Sequence, residues 1–245
     1  MTDDRPPVAL VIGAGDATGG AIARRFAREG YVACVTRRAV ERLSTLVQTI
    51  VDQGGRAYAF GSDARREEHV LELFATIERD IGPIDVLVFN IGGNVRAPVV
   101  EETARRYIKV WEMSCLAGFL TGREAARVMR ARGRGTILFT GATASMRGSA
   151  GYAAFAGAKH GLRALAQSMA RELGPQGIHV AHVVIDGMID TAFIRDNFAQ
   201  AYAQRAPRDG ILIPDHIAEN YWRLHCQPRS AWTHELDLRP WIEPW

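Results

Sequence analysis

The sequence predicts an α/β fold, in which a doubly wound parallel sheet of about seven strands carries helices on both faces. Short apolar runs alternate with longer helical patterns along the 245 residues. The first of these runs, VALVI at 8–12, is continuously apolar, as strands buried on both faces are. Strands that alternate with helices form a parallel sheet with right-handed crossovers. We therefore expect one domain over residues 1–245.

Local signals place the individual elements. Apolar runs predict strands, and a glycine after several helical patterns predicts where each helix ends. The predicted strands are 8–12, 31–36, 56–61, 86–90, 136–140, 178–185 and 236–238. The predicted helices are 21–30, 39–53, 67–81, 101–131, 149–173 and 215–226, with an irregular turn at 92–98 and a polar tail at 1–7.

Composition and charge exclude several functions. Lysine and arginine number 30 against 27 aspartates and glutamates, and the basic residues are scattered, so no nucleic-acid partner is expected. No stretch has the length of a transmembrane helix and the N-terminus does not resemble a signal peptide, so no membrane partner is expected. Cys34, Cys115 and Cys226 lack metal-ligand spacing, as do the histidines. These features predict reduced thiols, no metal site and a cytoplasmic protein.

A glycine-rich loop, GAGDATGG at 13–20, follows the first predicted strand. Glycines let the backbone approach a pyrophosphate, and the start of the next helix offers free N–H groups and the positive end of its dipole. At this place in an alternating pattern the loop indicates a Rossmann-type dinucleotide site. The alternative is an ordinary turn between a strand and a helix.

Several motifs together resemble the short-chain dehydrogenase/reductase family over nearly the whole chain. The family's G-x-x-x-G-x-G maps onto Gly13, Ala17 and Gly19, where the alanine is expected to crowd the pyrophosphate slightly. Segment 89–92 is similar to the family's N-N-A-G, and segment 186–191 to its P-G-x-x-x-T, which touches nicotinamide. The resemblance implies these cofactor-binding residues: Gly13, Gly15, Asp16, Ala17, Thr18, Gly19, Arg37, Arg38, Asp63, Ala64, Asn90, Ile91, Gly92, Lys159, Asp186, Gly187, Ile189 and Thr191.

The end of the second predicted strand distinguishes between the two nicotinamide cofactors. An acidic residue there would bind the ribose 2′-hydroxyl of NAD, but the chain has Thr36, Arg37 and Arg38. An arginine suits the 2′-phosphate of NADP through charge-assisted hydrogen bonds. Asp16 argues the other way, because its carboxylate would repel that phosphate. The sequence favours NADP(H), with NAD(H) as the alternative, unless the two arginines are only a solvated helix start.

The catalytic set of the family is largely missing. The resemblance implies that Lys159 holds the nicotinamide ribose. Phe155 stands at the position of the tyrosine that exchanges the substrate proton, and it has no proton to give. Ala142 replaces the serine that orients the carbonyl, and Cys115 replaces the asparagine that holds a water. This pattern is similar to an atypical subgroup with phenylalanine in place of tyrosine.

Other side chains could supply the missing chemistry. Tyr152, Phe155 and Lys159 share one face of the predicted helix, so Tyr152 is the best candidate for a relocated acid, against the alternative of a packing tyrosine. Lys159 needs a partner for its charge unless it extends to water. Asp186 is a candidate base or anchor for a cationic substrate, unless it caps a turn. Further candidates for the pocket lining are Thr143, Ser145 and Cys115.

Three functions follow from this pattern. The first is an NADP(H)-dependent oxidoreductase with a relocated acid, or one that reduces a polarised C=C or C=N bond of an unidentified small molecule. The second is a dinucleotide-binding protein without turnover, and the third, disfavoured by the retained motifs, is an interaction module. The resemblance also implies a substrate-covering insertion at 192–213, and the polarity of 195–208 predicts that this part is the most flexible. The resemblance implies a homodimer or homotetramer, and the aromatic tail offers Trp232, Trp241 and Trp245 as candidate partner contacts.

Overall fold

Seven parallel strands form one sheet within residues 5–244, the part of the chain that the computed structural model describes. Residues 1–4 of the predicted tail and Trp245 lie outside this range. The strands are β1 (Val8–Ile12), β2 (Val32–Arg37), β3 (Arg56–Gly61), β4 (Ile84–Phe89), β5 (Gly135–Thr140), β6 (Ile178–Ile185) and β7 (Glu235–Leu238). Their order across the sheet is β3-β2-β1-β4-β5-β6-β7, so the predicted fold class is confirmed.

Helices cover both faces of the sheet. They are α1 (Thr18–Arg28), α2 (Ser44–Asp52), α3 (Glu67–Asp80), α4 (Ala104–Trp111), α5 (Ala117–Arg130), α6 (Ala153–Leu173), α7 (Ala192–Asn197), α8 (Ala199–Arg205) and α9 (Pro214–His225). Phe74 of α3 and Leu162 of α6 pack on the face that receives Leu10 of β1. Phe26 of α1 packs on the opposite face, which receives Val11. Successive residues of a strand project to opposite faces, which explains the continuously apolar strand.

Three predicted helices differ from those observed. The helix predicted over 39–53 begins with a 3-10 turn, Val40–Leu43, and becomes α-helical only at Ser44. The helix predicted over 101–131 is interrupted by a π-helical turn, Glu112–Leu116, which separates α4 from α5. The helix predicted over 149–173 begins only at Ala153, because Gly151 has a φ of +84° and interrupts helical backbone just before it. Most of the segment 195–208, the predicted flexible part, is helical.

The sheet places a cleft at the carboxyl ends of its central strands. β1 lies between β2 and β4, and Ile12 is in register with both Thr36 and Phe89. The loops that follow these three strands therefore leave the sheet at one level. Strand order reverses on either side of β1, and such a switch point is where open α/β sheets bind ligands.

Candidate functional site

A cleft of about 640 Å³ opens over the carboxyl ends of the strands. Every cofactor residue predicted from the sequence lines it except Lys159, Asp186 and Gly187. The lining also includes residues that the motifs did not indicate: Ala14, Thr36, Ser62, Arg65, Met113, Asp190, Ala192, Phe193 and Arg195. The separate motifs therefore meet at one site, although they are far apart in the sequence.

The glycine loop packs tightly against the end of β4. Gly13 has a φ of +87°, and a Cβ there would lie 2.7 Å from the Ile91 side chain and 2.9 Å from the Asn90 carbonyl oxygen. A Cβ on Gly19 would lie 2.7 Å from the Gly13 carbonyl oxygen, which accepts a 3.1 Å hydrogen bond from Asn90 Nδ2. A side chain at either position would clash with neighbouring atoms, so the close packing of this loop requires glycine at both.

The start of α1 presents unoccupied donors to the cleft. The helix begins at Thr18 after Ala17, whose side chain supplies no capping hydrogen bond. The N–H groups of a first helical turn have no partner inside the helix. The Thr18 hydroxyl is also buried, and within residues 5–244 it has no hydrogen-bond partner. This combination suits an anion, because both the backbone and a side chain offer hydrogen bonds.

The edge of the cleft at β2 and β3 carries positive charge. Arg37 and Arg38 form no ion pair and no side-chain hydrogen bond with any described residue. Asp63, by contrast, is held by Arg65, whose Nε lies 2.9 Å from Oδ1 and whose Nη2 lies 2.5 Å from Oδ2. These hydrogen bonds lower the pKa of Asp63 to about 2. Arg37 and Arg38 are therefore the cations at this edge that remain available to an anionic ligand.

Lys159 is fully enclosed by protein. It is 2% exposed, so the alternative that its amine extends to water is wrong. Its Nζ donates hydrogen bonds to the carbonyl oxygens of Thr140 at 2.7 Å and Ile91 at 3.0 Å. No carboxylate among residues 5–244 pairs with it. Burial without a counter-charge lowers the pKa of Lys159 to about 7.

An apolar cluster surrounds Phe155. The Phe155 ring is 9% exposed, and its centroid lies 6.0 Å from Lys159 Nζ. A Cβ on Gly92 would lie 3.9 Å from this ring, which places the cluster beside the cleft. The other members of the cluster are Val110, Ala144, Ala154, Ala156 and Ala158, with Val95, Met113, Ala142 and Tyr152 at its margin.

Tyr152 does not lie on the helix that carries Phe155 and Lys159. It is the N-cap residue immediately before Ala153, where α6 begins, so the prediction that the helix already includes Tyr152 is wrong. Tyr152 nevertheless packs at the margin of the Phe155 cluster and is half-buried. Its hydroxyl makes no hydrogen bond with the described part of the chain, and so remains available to a ligand.

The π-helical turn places the side chains of Cys115 and Ser114 in different surroundings. A Cβ on Gly161 of α6 would lie 2.9 Å from Cys115 Sγ, so this thiol packs against α6, and burial raises its pKa. Ser114 is fully buried, and its hydroxyl lies 3.6 Å from where a Cβ on Gly93 would be. Within residues 5–244 that hydroxyl has no partner. Sequence reasoning missed Ser114, because a regular helix gives no sign of a π turn.

Asp186 is engaged by groups of the chain itself. It is 2% exposed and accepts a hydrogen bond from the Thr143 hydroxyl. Its Oδ2 lies 3.3 Å from Arg239 Nη2 and 3.9 Å from Arg147 Nη2. The Ser145 hydroxyl likewise accepts a hydrogen bond from the Ala142 amide at 3.1 Å. The carboxylate of Asp186 therefore already has two cationic neighbours.

The segment 192–213 forms one wall of the cleft. Thr191 Oγ1 accepts a 3.1 Å hydrogen bond from the Ile194 amide and so caps α7. Phe193 lines the cleft and is 64% exposed. On the outer side of the segment, Trp241 Nε1 donates a 2.9 Å hydrogen bond to the Arg208 carbonyl oxygen. The C-terminal residues thus fasten this segment to the body of the domain.

The histidines of β6 contact other side chains of the protein. His182 Nδ1 lies 3.1 Å from Glu235 Oε2, and His179 stacks on Trp232 at a centroid distance of 4.8 Å. No group of three potential metal ligands occurs in residues 5–244. None of the described helices combines the length and apolarity needed to cross a membrane.

Comparisons with known proteins agree with this geometry. A sequence model described as short chain dehydrogenase matches residues 7–201. A curated relative, described as the uncharacterized oxidoreductase YxjF of Bacillus subtilis, is 30% identical over 209 residues, which are 85% of this chain and 81% of the relative.

Solved structures give the same result. A short-chain dehydrogenase from Rhodopseudomonas palustris is 47% identical, with a TM-score of 0.82 over 96% of this chain and 99% of that one. A single-residue variant of actinorhodin polyketide ketoreductase, solved with NADPH, is 25% identical, with a TM-score of 0.89 over 98% of each chain.

Proposed function

Because the chain belongs to the short-chain dehydrogenase/reductase family, we propose that it is an NADP(H)-dependent oxidoreductase with a non-standard active site. The observation that carries the cofactor assignment is the pair Arg37 and Arg38, which lines the cleft at the end of β2 without an ion-pair partner in residues 5–244. A 2′-phosphate would meet both guanidinium groups there. The polyketide ketoreductase that shares the fold was solved with NADPH, in agreement with this assignment.

The described residues fit a dinucleotide along the whole cleft. The glycine loop and the Thr18 hydroxyl would hold the pyrophosphate. Lys159, whose amine donates to two carbonyl oxygens in this structure, would have to turn toward the cleft to hold the nicotinamide ribose. Thr191, Ile189 and Gly187 would contact the nicotinamide, while Asp63 and Ala64 would face the adenine. When bound, NADPH supplies a hydride. The chain's own residues orient that cofactor and shield it from water.

The reaction most compatible with these residues needs no strong acid from the protein. Phe155 and Ala142 can neither donate a proton nor hydrogen-bond a carbonyl oxygen. A polarised C=C or C=N bond accepts hydride at carbon, and water can protonate the product afterwards. We therefore place such a small molecule beside the Phe155 cluster, under the segment 192–213, with Tyr152 as the candidate proton donor.

A second candidate function is dinucleotide binding without turnover. The apolar packing of Phe155 against Val110 and its neighbours favours it, because this cluster occupies the place where a proton donor would be needed. In that case cofactor occupancy would itself be the signal. The retained cleft argues against an interaction module that has lost the nucleotide.

We also propose that the protein forms a homodimer or homotetramer. Tyr107, Ile108, Trp111 and Phe119 of α4 and α5 are each more than two-fifths exposed. Exposed aromatic residues on neighbouring turns commonly mark a protein interface. A cytoplasmic location remains a prediction from the sequence.

Fluorescence titration tests the cofactor assignment. We expect NADPH to bind at least tenfold more tightly than NADH, and Arg37→Gln to remove most of this preference, since a charge-assisted pair contributes on this order. Equal affinities for the two cofactors would contradict the assignment to NADP(H).

A substrate panel of ketones, enones and imines then tests turnover, followed as loss of NADPH absorbance. Tyr152→Phe is expected to lower kcat by about 10²-fold if Tyr152 is the relocated acid, in line with the contribution of a general acid. Unchanged kcat would eliminate Tyr152 as the acid. NADPH binding without turnover across the panel would favour the second candidate function.

A further inference from the structure

The rim of the Phe155 cluster is formed by two loops. Residues 90–98 follow β4, and residues 141–152 follow β5, so both loops leave the carboxyl ends of strands at the edge of the sheet where the cleft opens. The Ala97 amide donates a 2.8 Å hydrogen bond to the Gly151 carbonyl oxygen and so joins the two loops. Each loop also contributes side chains to the margin of the cluster. A molecule bound beside Phe155 would therefore meet both loops.

Arg96 lies on the junction of these loops. A Cβ on Gly151 would lie 3.1 Å from Arg96 Cγ and 3.3 Å from its Nε, so the arginine side chain extends over that glycine. The residue before Arg96, Val95, and the residue after Gly151, Tyr152, both pack at the margin of the Phe155 cluster. Arg96 is exposed, and its side chain has no hydrogen bond or ion pair with any of residues 5–244. It is thus a cation beside the cluster whose charge no described carboxylate meets.

Arg147 is a second cation at the rim. Its Nη2 lies 3.9 Å from Asp186 Oδ2, which is too far for a hydrogen bond, and its side chain is 46% exposed. Asp186 is satisfied without it, because that carboxylate accepts a hydrogen bond from the Thr143 hydroxyl and lies 3.3 Å from Arg239 Nη2. The N–H donors of Arg147 therefore remain available to a ligand.

Three groups at the rim can donate hydrogen bonds and make none with the described part of the chain. They are the guanidinium groups of Arg96 and Arg147 and the hydroxyl of Tyr152. A guanidinium is always charged and can only donate. Neither arginine lines the cleft that fits the dinucleotide, so an anion that they bind would belong to the substrate and not to the cofactor.

We propose that the substrate is a carboxylic acid, whose carboxylate is bound by Arg96, with Arg147 as the second cation, while its polarised C=C or C=N bond lies beside Phe155. The inference rests on the proposed function, because it assigns a substrate class to the same site. A guanidinium can pair with both oxygens of a carboxylate, which fixes the direction of the bound molecule. Contacts remote from the reacting bond can thereby orient that bond. This contact orients the substrate although Ala142 offers no hydrogen bond.

An anionic probe and its neutral counterpart test the substrate class without turnover. Benzoylacrylate carries an enone and a carboxylate, and its methyl ester lacks the charge. Each is titrated by calorimetry into the protein–NADP⁺ complex, in which no hydride is available. We expect the acid to bind at least tenfold more tightly than the ester, because charge-assisted hydrogen bonds contribute on this order. Equal affinities would overturn the inference.

Charge variants then test the assigned residues. Arg96→Gln should weaken benzoylacrylate binding about tenfold and leave the affinity for the ester unchanged. Arg96→Lys should keep part of the preference for the acid, because an ammonium retains the charge but not the paired donors. Arg147→Gln should weaken acid binding only about threefold, since its charge is shared with Asp186.

Arg130→Gln is the matched control. Arg130 is exposed at the end of α5 and precedes β5, so it lies at the opposite edge of the sheet. This variant should bind both probes like wild type. An equal loss of acid and ester affinity in Arg96→Gln would overturn the role of Arg96, because the effect would then not depend on the carboxylate.

The outcomes separate this inference from the proposed function. Wild-type protein that binds neither NADPH nor NADP⁺ would overturn the proposed function. Wild-type protein that binds the cofactor but does not prefer the acid over the ester would overturn only the substrate class.

Discussion

The two halves of the cleft differ in what they retain. The half over β1, β2 and β3 has a tightly packed glycine loop, buried hydroxyls, and two arginines, Arg37 and Arg38, that form no ion pair within residues 5–244. The half beside β5 and α6 has an apolar cluster around Phe155, with Ala142 at its margin. Because the two halves belong to different strands and loops, the chemistry of one can change while the geometry of the other is kept.

Lys159 connects the two halves. Its amine donates to a carbonyl at the end of β5 and to another after β4, within 6.0 Å of the Phe155 ring. Burying a charged lysine without a counter-ion lowers the free energy of unfolding. Among residues 5–244 its charge is met only by the carbonyl oxygens of Thr140 and Ile91.

The largest expected effect comes from returning the proton-handling groups to the apolar half. Phe155→Tyr together with Ala142→Ser should raise kcat/KM for ketone reduction by about 10²-fold, within the range that general acids contribute. The tyrosine hydroxyl would lie near the Lys159 amine, whose protonated form would favour ionisation of the tyrosine. The measurement is NADPH oxidation with a panel of small ketones.

Each single substitution serves as the control for this pair. Phe155→Tyr alone should give a smaller gain, because the carbonyl would lack its orienting hydroxyl, and Ala142→Ser alone should give none. An inactive double variant that still binds NADPH would show that the two halves differ in pocket shape as well as in proton donors.

The next effect concerns Lys159 and pH. Burial lowers its pKa from 10.5 to about 7, so between these values the unfolded chain binds a proton that the folded chain does not. The free energy of unfolding therefore rises with pH in this window, by about 2 kcal/mol between pH 7 and pH 9. Below pH 7 both states bind the proton, and the dependence disappears.

Denaturant unfolding of wild type and Lys159→Met at both pH values measures this contribution. The variant loses both the titrating amine and the donor to two carbonyl oxygens, which change stability in opposite directions. Only the change of unfolding free energy with pH is therefore compared. Between pH 7 and pH 9 the free energy of unfolding should rise more steeply with pH in wild type than in the variant. Equal slopes would mean that Lys159 stays charged in the folded chain.

Local sequence signals were sufficient to predict the strands of the sheet and the position of the glycine loop in the polar half of the cleft. The strands follow from continuous apolar runs, and the glycine loop follows from a motif whose spacing is set by one backbone path. The segment 192–213 could not be assigned residue by residue, because it carries no recognisable motif. The π turn that places the buried Ser114 hydroxyl near Gly93 could not be predicted, because the sequence there has an ordinary helical pattern. The start of α6 was predicted too early because Gly151, with a φ of +84°, interrupts the helical backbone.

The smallest expected effect returns to the polar half, at Thr18. A buried hydroxyl without a partner costs about 1 kcal/mol, so Thr18→Val should stabilise the cofactor-free protein by about that amount. The same change removes a donor to the pyrophosphate and should weaken NADPH binding about fivefold. Thermal unfolding and fluorescence titration measure the two effects, which have opposite consequences for the protein.

Thr121→Val is the matched control for this change. Thr121 is also a buried threonine on a helix, but its hydroxyl donates a 2.8 Å hydrogen bond to the Ala117 carbonyl oxygen. That variant should therefore lose stability and keep its affinity for NADPH. If Thr18→Val behaved in the same way, the Thr18 hydroxyl would have a structural role, and the polar half of the cleft would hold the pyrophosphate through its backbone alone.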